Sequence, residues 1–205
     1  MATIHEETDL RALLGGPSDL VRAKVNDRLN ELTRRFVDLS PFVLLATSAP
    51  DGTCDVSPRG DPAGFVRVLD DRTLLLPDRP GNRLADSLRN ILRNPHVGLL
   101  FVVPGVGDTL RVNGRATVET DEQLLTPSAV EGKAPKLGLR VEIDEVFTHC
   151  SKAFLRARLW DPTTFVDRTA LPSSGEVHRS LDPEFDAEEY DAERAARYAR
   201  REGFY

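Results

Sequence analysis

The feature that most constrains the fold is a stretch near residue 110 in which apolar and polar side chains alternate without a break. A period of two residues is typical of a β-strand, whose successive side chains point to opposite faces. This strand therefore has one buried face and one polar face. The apolar set is Leu110, Val112, Gly114, Ala116 and Val118, and the polar set is Arg111, Asn113, Arg115, Thr117 and Glu119.

Six further stretches also predict strands, and most of them form hairpins. Asp51-Gly52 forms a tight turn between the first two, since Gly supplies the positive φ that a hairpin turn favours. Residues 58–64 are predicted to be a loop. The predicted strands are Phe42–Thr47, Thr53–Ser57, Phe65–Leu69, Thr73–Leu76, Val97–Val103 and Leu139–Val146.

Helical patterns flank the strands. Residues 6–39 are predicted to be helical up to Pro41, and a helix is predicted from Asn82, as its N-cap, to about Arg93. Ser151–Leu159 is predicted to be a short helix, and residues 182–202 a charged tail that is helical or partly disordered. Strands and helices do not alternate regularly, which argues against a doubly wound nucleotide-binding fold.

The fold class that follows is mainly β, an antiparallel split β-barrel with Greek-key connections and peripheral helices. We expect one domain with three parts. These are an N-terminal helical extension at 1–40, the barrel at 41–162 and a C-terminal charged extension at 163–205.

Composition excludes several classes of protein. A net charge of −6 argues against broad nucleic-acid binding. No apolar run approaches the roughly 18 residues of a membrane span, and the acidic N-terminus is unlike a secretory signal. Two cysteines do not make a disulfide framework, so we expect a cytoplasmic protein.

Familiar catalytic motifs do not occur in the sequence. It has no G-x-S-x-G elbow, no Walker A motif and no G-x-G-x-x-G loop. The four histidines are scattered and do not have ligand spacing, so no metal site is predicted.

The basic residues are strongly biased toward arginine. Among the 27 basic residues only four are Lys, and the rest are Arg, whose planar fork suits phosphate. Base composition of the genome explains that bias equally well.

Leu74–Arg83 is the segment most suggestive of a binding site. A strand runs through a Pro/Gly turn into a predicted helix start at Asn82 and Arg83, and such a start favours an anion. Arg83, assisted by Arg79, adds charge-assisted hydrogen bonds. The alternative is an ordinary capped turn with solvated arginines.

A second segment, Ser57-Pro58-Arg59-Gly60-Asp61, is expected to lie near the first. It offers a hydroxyl, another Arg and a flexible Gly. Together the two segments supply the clustered donors that a phosphate group needs. The alternative for this segment is a solvent-exposed loop.

In these motifs and their order, residues 40–162 resemble the FMN-binding split-barrel family related to pyridoxamine 5′-phosphate oxidase, and a bacterial subgroup of it in particular. Each motif is weak alone, and their order makes the match specific. The matching stretches are Phe42–Thr47 with Asp51-Gly52, Ser57–Asp61, Leu75–Arg83, Asn94–Phe101, Thr109–Ala116, and His149–Phe154 with Arg156 and Leu159-Trp160.

The resemblance implies a set of cofactor contacts. Asn82 and Arg83 match the residues that bind the FMN phosphate. Pro77 and Asp78 match positions whose backbone faces the flavin ring. The remaining implied contacts are Ser57, Pro58, Arg59 and Gly60 in the second segment, Arg111 on the strand that reaches the cofactor from a partner subunit, and Trp160 near the ring.

Two departures from the family pattern concern the phosphate. Leu84 stands where the oxidases often have a phosphate-binding Lys, and Ser57 where they often have Arg. Both changes remove a cation, which leaves a deazaflavin, or no cofactor, as alternatives to FMN.

The resemblance implies an FMN-dependent oxidoreductase that acts on a small molecule and holds its cofactor between the subunits of a homodimer. Arg111 or Lys152 is the candidate cation near the flavin ring, and His149 and Lys152 are the candidates that face the substrate. Cys150 is predicted to be a buried strand end. The alternatives are a non-catalytic protein that binds a flavin, a deazaflavin or haem, and a cofactor-free dimerisation module.

Overall fold

A computed structural model describes residues 3–205 and contains seven strands. All of them join one antiparallel sheet in the order β2-β1-β5-β6-β7-β4-β3. The strands are β1 (Phe42–Ser48), β2 (Cys54–Gly60), β3 (Arg67–Val68), β4 (Thr73–Pro77), β5 (His96–Val102), β6 (Thr109–Glu119) and β7 (Gly138–His149).

Within residues 3–205, eight α-helices lie around this sheet. Three precede it, α4 and α5 lie between strands, and three follow it. They are α1 (Glu7–Leu14), α2 (Asp19–Ala23), α3 (Glu31–Leu39), α4 (Asp86–Ile91), α5 (Glu122–Leu125), α6 (Lys152–Ala157), α7 (Ser174–Leu181) and α8 (Ala187–Ala199). In residues 3–205 no helix combines the length and the apolar character needed to cross a membrane.

The sheet curls so that its first and sixth strands approach each other. Arg59 on β2 donates a 2.6 Å hydrogen bond to Asp78, the residue that follows β4. The curled sheet encloses an apolar core to which β1, β4, β5, β6 and β7 contribute. This confirms the predicted fold class, mainly β with a split antiparallel barrel and peripheral helices.

The alternation on β6 has the predicted burial. Leu110 and Val112 are fully buried, whereas Arg111 and Asn113 are partly exposed on the other face. Opposite residues of paired strands share a face, so Val112 extends the interior row begun by Leu45 and Leu99.

A β-bulge interrupts the pairing of β6 with β7 at Gly114. A Cβ atom built on Gly114 would lie 2.1 Å from the carbonyl oxygen of Glu142. Only glycine permits this close approach of the two backbones, which is a frequent reason for a glycine at a bulge.

The N-terminal region differs from the predicted helix over residues 6–39, because it forms three short helices. Gly15, Gly16 and Pro17 separate the first two, since glycine and proline are the poorest helix formers. The third begins at a capping box in which Asn30 and Thr33 cap each other, and a cap marks a helix start.

The helix predicted to begin at Asn82 begins instead at Asp86. Arg83 and Ala85 both have left-handed φ angles, 63° and 58°, which do not continue a helix. The Asn82 side chain accepts a hydrogen bond from the Leu84 amide, so it stabilises a local turn. Leu84, which would lie within the predicted helix, is 60% exposed and precedes the observed one.

Two strand boundaries also differ from the prediction. Residues 58–60, expected in a loop, belong to β2. Pro58 is tolerated there because β2 is an edge strand that pairs only with β1. The strand expected over Phe65–Leu69 is reduced to Arg67–Val68, the other edge.

The C-terminal extension is helical. Helices α7 and α8 pack against each other at Gly175, whose amide donates to Asp191. Three aromatic rings, those of His178, Phe185 and Tyr190, cluster beside this contact.

Candidate functional site

The ends of β2 and β4 form one wall of a cavity of about 340 Å³. Arg59 is held there by two contacts, a 2.6 Å ion pair with Asp78 and a 3.3 Å hydrogen bond to the Ser57 hydroxyl. That hydroxyl also lies 3.2 Å from the Ser87 hydroxyl on α4. Six of the predicted cofactor contacts line this cavity, namely Ser57, Pro58, Arg59, Gly60, Pro77 and Asn82.

The turn after β4 is fixed by a buried ion pair. Arg79 Nε donates to Asp61 over 2.6 Å, and the Asp61 side chain is only 1% exposed. A second nitrogen of Arg79 donates to the Ser128 carbonyl oxygen. Arg79 therefore anchors the turn, and it is not a free cation as the sequence suggested.

Within the described part of the chain, Arg83 is not held by a neighbouring side chain. Its side chain is exposed, and in residues 3–205 it forms no ion pair or hydrogen bond. It lines a second cavity, of about 700 Å³, together with Asp78 and the Arg79–Gly81 turn. Because α4 starts only at Asp86, the anion attraction here comes from the Arg83 charge and does not come from a helix N-terminus at Asn82.

A second group of predicted residues lies where β6 begins and β7 ends. Arg111 on β6 pairs with Glu145 at 3.0 Å, and its guanidinium lies 4.1 Å from the centre of the Phe147 ring. The Arg111 Nε atom is buried without a hydrogen-bond partner. Lys24 approaches the same Phe147 ring. This end of the sheet is thus cationic and aromatic.

His149 lies at the edge of this group. Its ring is 4.9 Å from that of Phe147. Partial burial, together with the charges of Arg111 and Lys24, lowers the pKa of His149 below its ordinary value. The imidazole is therefore neutral at neutral pH.

The neighbouring predicted residues are more exposed. Cys150 is exposed, so its predicted burial is wrong: the strand ends at His149 and the chain turns outward into α6. Lys152 is exposed at the first position of α6. Trp160 is partly exposed, and its indole nitrogen donates to the Val106 carbonyl oxygen over 2.9 Å.

The structure thus brings the predicted residues into two groups. The first contains Ser57–Gly60 with Pro77, Asp78, Asn82 and Arg83; the second contains Arg111, His149, Lys152 and Trp160. No hydrogen bond or ion pair joins the two groups within residues 3–205.

Sequence reasoning missed several residues beside the first group. Tyr205 donates to Asp61, a residue 144 positions away, and Lys133 and Lys136 line the 700 Å³ cavity. No periodicity or motif announces such long-range contacts. The one available signal was compositional: the sequence has only four lysines, and two of them, Lys133 and Lys136, lie at this cavity. Within the part of the chain that the structure describes, no three His, Cys, Asp or Glu side chains form a set that would hold a metal ion.

Comparison with protein families identifies the family of this chain. The sequence model of the pyridoxamine 5′-phosphate oxidase family matches residues 29–150, which include the whole sheet from β1 to β7. Among curated proteins, none matches this sequence.

Comparison with solved structures gives several matches that each cover part of this chain. HupZ of Group A Streptococcus is 17% identical, with a TM-score of 0.49 over 58% of this chain and 98% of that one. An FMN-binding protein of Syntrophomonas wolfei is 13% identical, with a TM-score of 0.43 over 58% and 89% of the two chains. A FAD-binding protein of Mesorhizobium loti is 22% identical, with a TM-score of 0.42 over 60% and 96%.

Proposed function

The chain belongs to the pyridoxamine 5′-phosphate oxidase family, and on that premise we propose that it is a flavoprotein that binds FMN and oxidises or reduces a small molecule. The observation that carries this proposal is the groove between β2 and β4, the cavity of about 340 Å³ that Ser57 and Asn82 line. The exposed cation Arg83 follows Asn82 in the chain and lines the adjoining cavity. A phosphate group at the Asn82 end of the groove would meet that guanidinium, the Asn82 amide and the Ser57 hydroxyl.

The donor set fits a phosphate. Arg83 has no competing carboxylate, and a guanidinium binds phosphate through two parallel hydrogen bonds. Arg59 is less available, because Asp78 occupies one of its nitrogens at 2.6 Å. Arg83 therefore supplies the main charge, and Ser57 and Asn82 orient the group. The backbone of Pro77 and Asp78 forms the wall for the ring.

The second group of residues supports a homodimer. Within one protomer Arg111 is three strands away from Pro58, roughly 14 Å at about 4.8 Å per strand. A site that needs Arg111 beside Ser57 would therefore draw it from a second subunit. A two-fold partner would bring its own Arg111 to that groove, because each subunit then offers the same surface to the other.

The outer face of the sheet is suited to such a partner. Pro58, Leu44, Leu100 and Arg111 are opposite one another on four adjacent strands, so they share this face. Most of its side chains are apolar and partly exposed, and Val56 is 65% exposed. An apolar face of this kind is typical of an oligomer interface. Its apolar members include Phe42, Leu44, Ala46, Val56, Leu100 and Val102.

When bound, a flavin supplies the capacity to accept or donate a hydride, and the protein's residues bind and tune it. The positive charge of Arg111 lies beside the Phe147 ring. It would stabilise negative charge on the edge of a ligand that binds there. His149, neutral at neutral pH, offers one ring nitrogen as a hydrogen-bond acceptor and the other as a donor. Lys152 provides an exposed ammonium beside them.

The test begins with the purified full-length protein. We expect absorbance in the flavin region, release of FMN identified by mass spectrometry, and a dimer by light scattering. Reduction of the bound flavin by NADH or NADPH, followed by reoxidation by an added acceptor, would establish turnover. A colourless protein that gains no absorbance from added FMN would overturn the proposal. If the flavin stays bound but neither NADH nor NADPH reduces it, the protein is a flavin-binding protein and the proposed enzymatic role is contradicted.

A further inference from the structure

The cavity of about 700 Å³ lies beside the proposed flavin groove, and the Arg79–Gly81 turn lines both. This volume is in the range of small-molecule sites and is far larger than an inorganic ion needs. Its opposite wall is formed by residues 133–137. That wall lies at the end of the barrel that β4 and β7 share, because Asp78 pairs with Leu137 through a backbone hydrogen bond.

The cavity has an excess of basic side chains, because Arg79, Arg83, Lys133 and Lys136 line it beside a single acidic side chain, Asp78. Two of its charged side chains are neutralised by neighbours, Arg79 by Asp61 and Asp78 by Arg59. A positive cluster is unexpected in a chain whose net charge is −6, and two of the four lysines in the sequence contribute to it. Of the cations that line this cavity, Arg83 and Lys136 form no ion pair or hydrogen bond within residues 3–205, and Lys133 donates to the backbone of Tyr205.

The C-terminal segment closes one side of this cavity. Tyr205 donates its hydroxyl to Asp61 over 2.7 Å, and the same carboxylate accepts from Arg79. The Tyr205 ring lies 5.2 Å from the Arg79 guanidinium. Lys133 donates to a terminal backbone oxygen of Tyr205 over 3.3 Å. These contacts hold an aromatic ring beside the cations of the cavity.

We propose that this cavity is a binding site for an organic anion that carries at least two acidic groups and a flat apolar part. Lys133 and Lys136 on one wall and Arg83 on the other attract separate acidic groups, and Tyr205 packs against the apolar part. If FMN occupies Arg83, the two lysines remain for the second ligand. The inference rests on the proposed function only where it makes this anion the flavin's substrate; the binding itself needs no flavin.

Three probes of equal ring size test the charge requirement. Benzene-1,3,5-tricarboxylate is titrated calorimetrically into the full-length protein and compared with benzoate and benzyl alcohol. We expect the tricarboxylate to bind at least about tenfold more tightly than benzoate, since each added charge-assisted contact contributes on that order. Benzyl alcohol is expected not to bind. Equal binding of all three probes would overturn the proposal.

Variants locate the site. The double variant K133Q/K136Q is expected to weaken tricarboxylate binding at least about tenfold. The control R34Q/R93Q removes the same charge from exposed arginines on α3 and after α4, and is expected to change binding less than about twofold, as screened distant charges do. Unchanged binding in K133Q/K136Q, or an equal loss in the control, would show that the cavity is not the site.

The Tyr205 contribution is separated with an aliphatic probe. Y205A is expected to weaken binding of benzene-1,3,5-tricarboxylate several-fold and to leave binding of citrate, which has no ring, unchanged. Y205L keeps an apolar side chain and controls for loss of the segment's packing. Its affinity for the tricarboxylate is expected to lie between that of the unsubstituted protein and that of Y205A. An equal loss for both probes would remove Tyr205 from the site. Flavin absorbance of each sample is recorded separately. Absence of flavin would contradict the proposed function, whereas anion binding is decided by the calorimetric titrations alone.

Discussion

Arg59 and Asp78 form a 2.6 Å ion pair that joins the first strand of the sheet order to the end of the sixth, at the wall of the proposed flavin groove. Both side chains are largely shielded, at 22% and 24% exposure. The pair therefore has two roles to separate. It fastens the curled sheet, and it balances the charge that a phosphate group would meet.

Substitution of either partner separates these roles. Asp78→Asn removes a negative charge and frees Arg59, so we expect FMN retention to strengthen roughly threefold to tenfold. Arg59→Gln leaves the carboxylate uncompensated, and we expect retention to weaken by a similar factor. The measurement is the dissociation constant from fluorescence of released FMN. A purely structural pair predicts weaker retention in both variants, which would contradict the electrostatic role.

Arg83→Ala is expected to weaken FMN retention by roughly tenfold to a hundredfold, because a charge-assisted hydrogen bond contributes about 1.5–3 kcal/mol. The control is Arg89→Ala, six residues further along, where an exposed arginine pairs with Asp86 at 3.6 Å. Both variants are measured by flavin content after gel filtration. Retention that is equal in the two variants would remove Arg83 from the phosphate site.

Gly114→Ala is expected to destabilise the protein by about 3 kcal/mol, because overpacking of a tight contact costs about that much. The added Cβ would lie 2.1 Å from the Glu142 carbonyl oxygen. Gly98→Ala on the neighbouring strand is the control, since its Cβ would meet ordinary contacts no closer than 3.5 Å. Urea unfolding gives both free energies. Equal stability of the two variants would show that the bulge relaxes at little cost.

The sheet was predictable from sequence because each strand carries its own pattern. Leu110 and Val112 alternate with Arg111 over enough residues to determine the face as well as the strand. The start of α4 was not predictable, because left-handed φ angles at Arg83 and Ala85 have no sequence signal in non-glycine residues.

The site was predictable only in part, for a similar reason. The segment containing Asn82 and Arg83 is local, and it was found. The contact of Tyr205 with Asp61 joins residues 144 positions apart, and it depends on where the C-terminal helices dock. Docking is a property of the packed fold, so the cationic cavity beside the groove stayed hidden in the sequence.

His149 is expected to contribute to acid sensitivity. Partial burial and the nearby cations lower its pKa below 6.5 in the folded protein, whereas the unfolded chain has the ordinary value. Below about pH 6.5 the unfolded state therefore binds a proton that the folded state does not, and stability falls as the pH drops toward the folded pKa. His149→Gln removes this loss. Urea unfolding at pH 7.5 and at pH 5.5 checks it, and an unchanged pH dependence in the variant would contradict it.

The proposed dimer makes the outer face of the sheet sensitive to charge. Val56 is 65% exposed on β2, beside the small residues Ala46 and Gly98 on the next two strands. Val56→Asp should fold normally, since one protomer leaves this side chain in solvent, but it places a carboxylate in the apolar interface. We expect it to shift the protein to a monomer by light scattering and to lower flavin content, because the partner's Arg111 would be lost. Leu181→Asp, at a position 81% exposed on α7, is the control and should remain a dimer. A V56D protein that stays dimeric and keeps its flavin would show that the subunits meet elsewhere.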